Sequence, residues 1–418
     1  MERKIYQVEE KVPFSLLLPL SLQHTFAMFG ASVLVPIVMG IHPGIVLLMN
    51  GVGTLFFILI TKGKAPAYLG SSFAFLAPAG VIISAWGFEY AQGGFIVTGL
   101  FGCILAFIIR KFGTRWIDVV LPPAAMGAVV ALIGLELTKI TVTGGKIGAN
   151  LMTETATTND WIVFLVTLGV AVIGSVLFKK FFATIPILIA MVVGYITAAS
   201  LGMIDYSALK EASFFTMPVF QLPKFSIEAV FTMLPALLVI IAEHISHQSV
   251  TSTIVGKDLI KEPGLDKTIF ADNFSTMISG FVGGVPTTTY GENIGVMAVT
   301  GVYSVQVIGG AAVISILMAF IGPLSAFILT IPGDVIGGVT FLLYGMIGAS
   351  GIRLLVDKNV DYGKSKNLVL TSVILTTGLS GISVSFAGIS LSGMVLSSVV
   401  AVVLSLFFYL VDKVSHTA

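Results

Sequence analysis

Charged residues are scarce in this chain, and cysteine is almost absent. Only 10% of the 418 residues are Asp, Glu, Lys or Arg, whereas 56% are hydrophobic and the mean hydropathy is +1.03. This composition excludes an ordinary soluble globule and indicates a protein that crosses a membrane several times. A net charge of +1 gives no reason to expect nucleic acid as a partner. The single cysteine, Cys103, lies in an apolar run and excludes an internal disulfide framework.

Long apolar segments fill most of the chain, at about 20 residues for each predicted span. Hydropathy predicts fourteen of them. The third, ninth and tenth are short or interrupted by Gly, Pro and Ser, so twelve or thirteen spans are also defensible. The segments cover residues 14–40, 44–61, 70–86, 92–109, 117–138, 161–178, 182–203, 229–251, 268–284, 290–304, 306–330, 332–354, 367–384 and 390–412.

Basic residues indicate how these segments cross the membrane. With the amino terminus inside, nearly all Lys and Arg residues fall in loops on the inner side. The exceptions are Lys139, Lys146, Lys210 and Lys224. Because cytoplasmic loops are enriched in Lys and Arg, we expect fourteen spans with both termini in the cytoplasm. The first apolar run is too long for a signal-peptide core, so we expect a multi-pass protein of the cytoplasmic membrane.

Polar interruptions recur inside the apolar segments and suggest an internal repeat. Gln23-His24 and Glu243-His244 are 220 residues apart, and so are Ser71-Ser72-Phe73 and Gly291-Glu292-Asn293. Seven spans in each half would make the second half cross the membrane in the opposite sense, which defines an inverted repeat. Ionisable side chains near a bilayer centre cost about 2.5–3.5 kcal/mol each. We therefore expect these interruptions to mark a functional site on a transport pathway.

The third and tenth segments are predicted to contain short antiparallel strands. Residues 71–75 and 286–290 both follow glycine and are rich in β-branched, aromatic or helix-breaking residues. Extended backbone at membrane depth is tolerated only where protein or a cavity satisfies it. The two strands would therefore pair, and the helices after them would point positive dipole ends at a ligand. The alternative is a kinked helix whose Ser and Thr hydroxyls bond its own carbonyls.

The eighth segment carries Glu243, His244 and His247 on one helical face, because residues four apart lie about 40° apart around a helix. That face cannot meet lipid. An isolated Glu-His group is equally compatible with a structural role that ties helices together. Glu292 in the tenth segment adds a second carboxylate and favours a function.

Other polar residues in the apolar segments have supporting roles in this interpretation. His24, with Gln23, is expected to support the site or to bridge two helices. Asp118, Glu136 and Asp334 lie near predicted span ends. There, solvation or a helix cap explains a carboxylate without a functional site.

Four motifs stand at the polar interruptions. They are Ser21-Leu22-Gln23-His24, Tyr68-Leu69-Gly70-Ser71-Ser72-Phe73-Ala74-Phe75, Ala242-Glu243-His244-Ile245-Ser246-His247 and Tyr290-Gly291-Glu292-Asn293-Ile294-Gly295-Val296-Met297-Ala298-Val299-Thr300-Gly301. The last contains an acidic residue followed by Asn-x-Gly and, five residues later, Thr. In this order, the motifs resemble those of the nucleobase/ascorbate transporter family, in its bacterial uracil permease branch. The resemblance covers about residues 12–413.

The resemblance implies an all-α polytopic membrane protein of fourteen spans, arranged as two inverted repeats of seven. A core, substrate-binding domain would comprise residues 14–110 and 229–330, and a gate domain residues 115–205 and 332–412. Members of the family generally work as homodimers, move the core against the gate and couple nucleobase uptake to protons. The expected partners are therefore uracil, protons, membrane lipid and a second copy of the chain, with no cofactor and no metal.

The resemblance also assigns roles to individual residues. Those that would bind substrate are Glu243, Glu292, Phe73, Gly291, Tyr290, Tyr344 and Ser72. Those that would couple protons or support the site are Glu243, His247, His24 and Asn293. The two glutamates would accept hydrogen bonds from substrate, Phe73 would supply an aromatic face, and backbone N–H groups of Phe73 and Gly291 would donate.

The chemistry of uracil agrees with these residue types. Its flat ring has two N–H donors and two carbonyl acceptors, which suit carboxylates, backbone donors and an aromatic face. A buried site built to hydrogen-bond a polar substrate also rejects analogues that leave its groups unpaired. We hypothesise that Glu243, helped by His247, binds a proton with substrate and releases it inside.

Three alternatives stay open. A purine permease of the same family, for xanthine or uric acid, would meet similar N–H and carbonyl edges. An intramembrane metalloenzyme could use Glu243, His244 and His247 as ligands, although their order differs from His-Glu-x-x-His. An uncoupled pore would need a continuous polar lining, whereas the polar residues here are confined to one level.

Overall fold

The computed structural model describes residues 5–144, 148–386 and 389–415, and these are mostly helical. The first helices are α1 Phe14–Met39, α2 Pro43–Ile60, α3 Leu76–Trp86, α4 Phe88–Phe112, α5 Arg115–Val120, α6 Pro123–Thr138, α7 Thr158–Leu177, α8 Pro186–Ser200 and α9 Ser207–Lys210. The next are α10 Ile227–Met233, α11 Ala236–Val255, α12 Leu265–Val282, α13 Gly291–Thr300, α14 Val305–Met318, α15 Gly322–Leu329, α16 Gly333–Asp357, α17 Ser365–Leu379 and α18 Gly393–Ser415. Short helical turns occur at Phe73–Phe75, Lys139–Val142, Phe182–Thr184 and Ile260–Gly264.

Eight helical stretches of the described residues are long and apolar enough to cross a membrane. They are Phe14–Met39, Pro43–Ile60, Phe88–Phe112, Pro123–Val142, Thr158–Leu177, Ile227–Val255, Gly333–Asp357 and Gly393–Val414. Shorter apolar helices lie at Phe73–Trp86, Pro186–Ser200 and Val305–Met318. The predicted helical chain with many apolar helices is thereby confirmed, whereas the division into fourteen spans stays a prediction.

Four short strands form two antiparallel pairs in the described residues. The strands are β1 Leu69–Ser71, β2 Thr287–Thr289, β3 Ser383–Phe386 and β4 Ile389–Ser392. β1 pairs with β2 across more than 200 residues of sequence, with Leu69 opposite Thr289 and Ser71 opposite Thr287. β3 pairs with its neighbour β4.

The pair of β1 and β2 is fully buried, and hydroxyl groups of α2 and α12 bond the backbone groups that the ladder leaves free. Tyr290 N donates to Tyr68 O at 3.0 Å, and Ser72 N donates to Pro286 O at 2.8 Å. Hydrogen bonding thus continues one residue beyond each end of the ladder. This arrangement meets the requirement that backbone groups at membrane depth find partners within the protein.

Two local predictions were wrong. The extended piece expected at residues 71–75 ends at Ser71, and Phe73–Phe75 is a 3₁₀ turn that leads into α3. The ladder stops because Pro286, opposite Ser72, has no N–H to donate. The thirteenth segment was predicted to reach residue 384, but α17 ends at Leu379 and β3 follows. Gly381, with φ of 74°, turns the chain there.

Helices from the two halves of the chain pack against each other. α12 packs on α4 and α2, and α14 packs on α1 and α2. α16 packs on α6 and α7, and α17 packs on α6 and α18. Small residues permit these close approaches: a methyl group on Gly102 would overlap Asn273 at the α4–α12 contact, and one on Gly134 would overlap the backbone of Tyr344 at the α6–α16 contact.

Ion pairs and caps tie the ends of the helices together. The pairs are Lys64–Glu262, Lys257–Glu9, Lys366–Asp412 and Lys224–Glu89. Glu136 Oε2 accepts from Met394 N at 2.7 Å, at the start of α18, and Asp334 Oδ1 accepts from Asn150 N at 2.8 Å. Glu136 therefore caps a helix, as expected, whereas Asp334 bonds a residue outside the helices. Asp118 is exposed.

Candidate substrate site

The site is centred on the paired strands β1 and β2. A helical segment begins shortly after each strand ends. α13 begins at Gly291, two residues after β2 ends, and the 3₁₀ turn before α3 begins at Phe73, two residues after β1 ends. Antiparallel pairing brings these two starts to opposite ends of one short ladder. Helix starts present unpaired N–H groups and the positive end of the helix dipole, so both can attract acceptor atoms of a ligand.

Two carboxylates meet in this region. Glu243 lies in the middle of α11, and Glu292 lies in the first turn of α13. Glu243 interacts electrostatically with Glu292 and with Asp272 of α12. The structure therefore brings together the two glutamates that the sequence analysis selected. Carboxylates can accept the N–H groups of a planar ligand.

The side chain of His247, on α11, reaches toward β2 and the start of α13. Its Nδ1 atom is 3.0 Å from Thr289 Oγ1 of β2. Its Nε2 atom is 3.3 Å from the position that a Cβ atom on Gly291 would occupy. His247 is therefore one helical turn from Glu243 and in contact with the strand that leads to Gly291 and Glu292.

Aromatic side chains border the same region. The rings of Phe73 and Tyr344 are 6.0 Å apart and nearly perpendicular, at 79°. Tyr344 belongs to α16, so this contact joins the turn before α3 to α16. Tyr290 is 4% exposed, and its hydroxyl donates to Ser71 O at 3.0 Å. The hydroxyl of Tyr290 thus closes β2 against β1, while Phe73 and Tyr344 offer ring surface.

His24 and Asn293 connect α1 to α13 beneath the strands. Asn293 Nδ2 donates to His24 O at 3.1 Å and lies 3.0 Å from His24 Nδ1. Gln23 does not join this group, because its Nε2 atom donates to Thr184 Oγ1 at 2.9 Å. Several buried atoms in and near the ladder, among them Ser72 Oγ and Asn293 Oδ1, have no hydrogen-bond partner in the described part of the chain. They are available to a polar ligand or to water.

A cavity of about 1000 Å³ opens beside Gly291. The α11 wall carries the hydroxyl groups of Ser246, Ser249 and Thr253, and the cavity extends to Arg353 near the end of α16. It therefore connects the start of α13 with the end of the molecule that the charge pattern places in the cytoplasm. A route of this size and polarity suits a small polar molecule.

Asp272 and Thr289 were missed by the sequence analysis. Asp272 is a carboxylate in the middle of the apolar segment 268–284, and that position alone was a usable signal. Thr289 had no comparable signal, because its contact with His247 depends on how α11 and β2 pack. Among the described residues, no three His, Cys, Asp or Glu side chains gather as a metal site requires.

Comparison with solved structures identifies the fold. The chain matches the transmembrane domain of a cyanobacterial bicarbonate transporter, BicA, with a TM-score of 0.63 at 16% sequence identity. The match covers 96% of this chain and 100% of that domain. At this identity the likeness defines a membrane-transporter fold and nothing about substrate.

Comparison with sequences identifies the family. Residues 16–387 match the model of the permease family that contains xanthine and uracil permeases. A uracil permease of Paenibacillus larvae is 50% identical over 99% of this chain and 99% of its own length. A uracil permease of Escherichia coli K12 is 51% identical over 99% of this chain and 96% of its own length. The chain therefore belongs to this family, the nucleobase/ascorbate transporters, as its four motifs predicted.

Proposed function

We propose that this protein takes up uracil together with protons across the cytoplasmic membrane. The observation that carries the proposal is that Glu243 of α11 and Glu292 in the first turn of α13 interact electrostatically, close to a cavity that runs from Gly291 toward Arg353. Two relatives at 50% and 51% identity, matched over nearly their whole length, are uracil permeases. Proteins this similar over nearly their whole length commonly share their substrate class.

The site offers a complementary group for each edge of uracil. In this proposal, Glu243 and Glu292 accept the two ring N–H groups, and the backbone N–H groups of Phe73 and Gly291 donate to the carbonyl oxygens. The ring lies against Phe73, with Tyr344 on the gate side. A substrate that leaves one of these buried groups unpaired loses affinity, which gives the site its selectivity.

Proton coupling is assigned to Glu243 with His247. The two residues are one helical turn apart, and His247 reaches both Thr289 and the start of α13. A proton taken up by this group with substrate would remove the repulsion between Glu243 and Glu292. Release of substrate into the cavity would then be followed by release of the proton.

The fourteen-span topology and the division into core and gate are part of the proposal. Three ion pairs, Lys64–Glu262, Lys257–Glu9 and Lys366–Asp412, join loops and helix ends that the charge pattern places inside, and Lys224–Glu89 joins a loop to the start of α4 on the outside. The packing of α1–α4 with α11–α14, and of α6–α8 with α16–α18, supports the two domains. We further propose that the protein works as a homodimer in which each core moves against its gate.

Uptake into proteoliposomes tests the function. Purified protein is assayed for radiolabelled uracil with an imposed proton gradient, with unlabelled uracil, xanthine, uric acid and other nucleobases as competitors. Glu243→Gln and Glu292→Gln should each reduce uptake at least about tenfold, the scale of a lost charge-assisted hydrogen bond. Glu211→Gln, at an exposed carboxylate in an outer loop, is the matched control.

A separate result would contradict each part of the proposal: the site, the substrate and the proton coupling. Normal uptake by both glutamine variants would show that the site is misplaced. Competition by xanthine but not by uracil would assign the protein to purines. Accumulation that is undiminished after a protonophore collapses the gradient would exclude proton coupling.

A further inference from the structure

A buried hydrogen-bonded pair of titratable side chains lies beside the candidate site. His244 Nδ1 and Asp272 Oδ2 are 2.9 Å apart, and both side chains are 1% exposed. A carboxylate among membrane-spanning helices is costly and is retained where it has a use. Neither residue belongs to the set that contacts substrate in the proposed function, so the pair requires a separate explanation.

Helix α12, which carries Asp272, also braces β2. Thr276 Oγ1 accepts from Thr287 N at 3.0 Å, and Ser279 Oγ donates to Val285 O at 2.6 Å. Thr287 Oγ1 in turn donates to Ser275 Oγ at 2.9 Å. These bonds hold the strand that runs directly into the start of α13. The position of Glu292 therefore depends on α12.

The same helix holds α11 through His244. α11 and α12 also share an apolar cluster that includes Ile241 and Ile269, and this buried hydrogen bond adds a directional link between them. His244 follows Glu243 in the chain, about 100° further around the helix. Fixing the ring of His244 consequently fixes the rotation of α11 about its axis and the direction in which Glu243 points.

We propose that Asp272 is a positioning residue for the substrate site. Through His244 it sets the rotation of α11 that presents Glu243, while the hydroxyl groups of α12 hold the strand that presents Glu292. α12 thus fixes the spacing of the two carboxylates without touching substrate itself. The inference rests on the proposed binding role of Glu243 and Glu292.

Because His244 and Asp272 form one hydrogen bond with each other, substitutions can separate the positioning role of the pair from its effect on stability. His244 Nε2 and Asp272 Oδ1 have no hydrogen-bond partner among the described residues, so each residue depends on the other. Removing one partner leaves a buried polar group unpaired, which destabilises the fold. Replacing both by apolar groups of similar size restores stability, but it also removes the link that orients α11.

Four variants test the proposal by isothermal titration with uracil and by thermal unfolding in detergent. Asp272→Asn keeps an acceptor for His244 and should bind uracil within about threefold of the unsubstituted protein. Asp272→Leu should unfold at a lower temperature and raise Kd about tenfold or more. His244→Leu with Asp272→Leu should recover the unfolding temperature but keep the raised Kd. Asp266→Asn, in the first turn of α12, is the matched control and should change neither.

Two results would overturn the proposal. Uracil binding by the double leucine variant at the unsubstituted Kd would show that the pair is only structural. Uracil binding by Asp272→Asn as weak as that by Asp272→Leu would show that the hydrogen bond to His244 does not position the site. If the unsubstituted protein binds a different nucleobase, the proposed substrate is wrong and the same comparison is made with that nucleobase. If it binds none, both proposals fail.

Discussion

Asn293 of α13 holds His24 of α1 through two contacts of one amide group. Asn293 Nδ2 donates to the backbone oxygen of His24 at 3.1 Å and lies 3.0 Å from its Nδ1 atom. Both residues are 1% exposed. The contact joins the first span to the helix that begins at the substrate site, so movement of α1 and of Glu292 is coupled.

The two sides of this contact predict unequal effects of substitution. His24→Ala removes the ring but leaves the backbone acceptor, so we expect uracil Kd to rise about threefold. Asn293→Ala removes both contacts and should raise Kd about tenfold or more. Titration calorimetry measures both values. If His24→Ala raised Kd as much as Asn293→Ala, the bond to the backbone oxygen of His24 would not be the more important of the two contacts.

Gly70 is predicted to be intolerant of any side chain. A methyl group there would overlap the ring of Tyr290, whose hydroxyl bonds the neighbouring Ser71. Overpacking of this kind costs about 1–3 kcal/mol, so Gly70→Ala should lower the unfolding temperature and weaken uracil binding. Gly80→Ala is the control, because a methyl group at Gly80 on α3 meets open space. Equal unfolding temperatures for the two variants would show that the ladder tolerates the overlap.

Glu136 is predicted to stabilise α18 without affecting the site. Its carboxylate accepts from Met394 N at the start of that helix. Loss of a helix-capping acceptor costs about 0.5–2 kcal/mol, so Glu136→Ala should unfold at a lower temperature. Glu136→Gln keeps an acceptor and should unfold at a temperature between those of the unsubstituted protein and Glu136→Ala. Uracil Kd should remain unchanged in both variants, and a raised Kd would mean that α18 contributes to binding.

Glu9 is predicted to hold the amino-terminal segment to the loop after α13. Tyr6 N donates to Gly301 O, and Val305 N donates to Val8 O, so the segment lies against the loop after α13. Hydrogen bonding to Lys257 lowers the pKa of Glu9 below its ordinary value of 4.5. A lowered carboxyl pKa means that the stabilisation is present above the ordinary value and is lost as pH falls through the lowered one.

Hydrogen exchange tests this pair at constant pH. At neutral pH, Glu9→Gln should raise exchange at the amides of Tyr6 and Val305 by less than about fivefold, because exposed ion pairs are weak. Unsubstituted protein should show the same increase only at acidic pH, after correction for intrinsic exchange. Lys224→Gln breaks the pair at the opposite end and should leave these amides unchanged. An increase as large in Lys224→Gln would show that the effect is not local.

Much of the site was predictable because polar residues are rare in apolar sequence. Glu243 and Glu292 stood out for that reason, and the structure places them within electrostatic range of each other. Asp272 had the same signal, but its role depends on its hydrogen bond to His244 of α11. The strand prediction at residues 71–75 was wrong in extent, because pairing partners decide where a strand ends. The inverted repeat and the two domains stay predictions.

Composition and hydropathy by themselves determined that this chain is a helical membrane protein, because its apolar segments are about as long as a helix needs to cross the bilayer with its backbone hydrogen bonds satisfied. The four motifs determined its family, because they combine rare polar residues in a fixed order. Only the tertiary structure decided that β1 meets β2 and that α12 bonds both α11 and β2. Those contacts join residues far apart in sequence, and they follow from how the helices pack rather than from any local pattern.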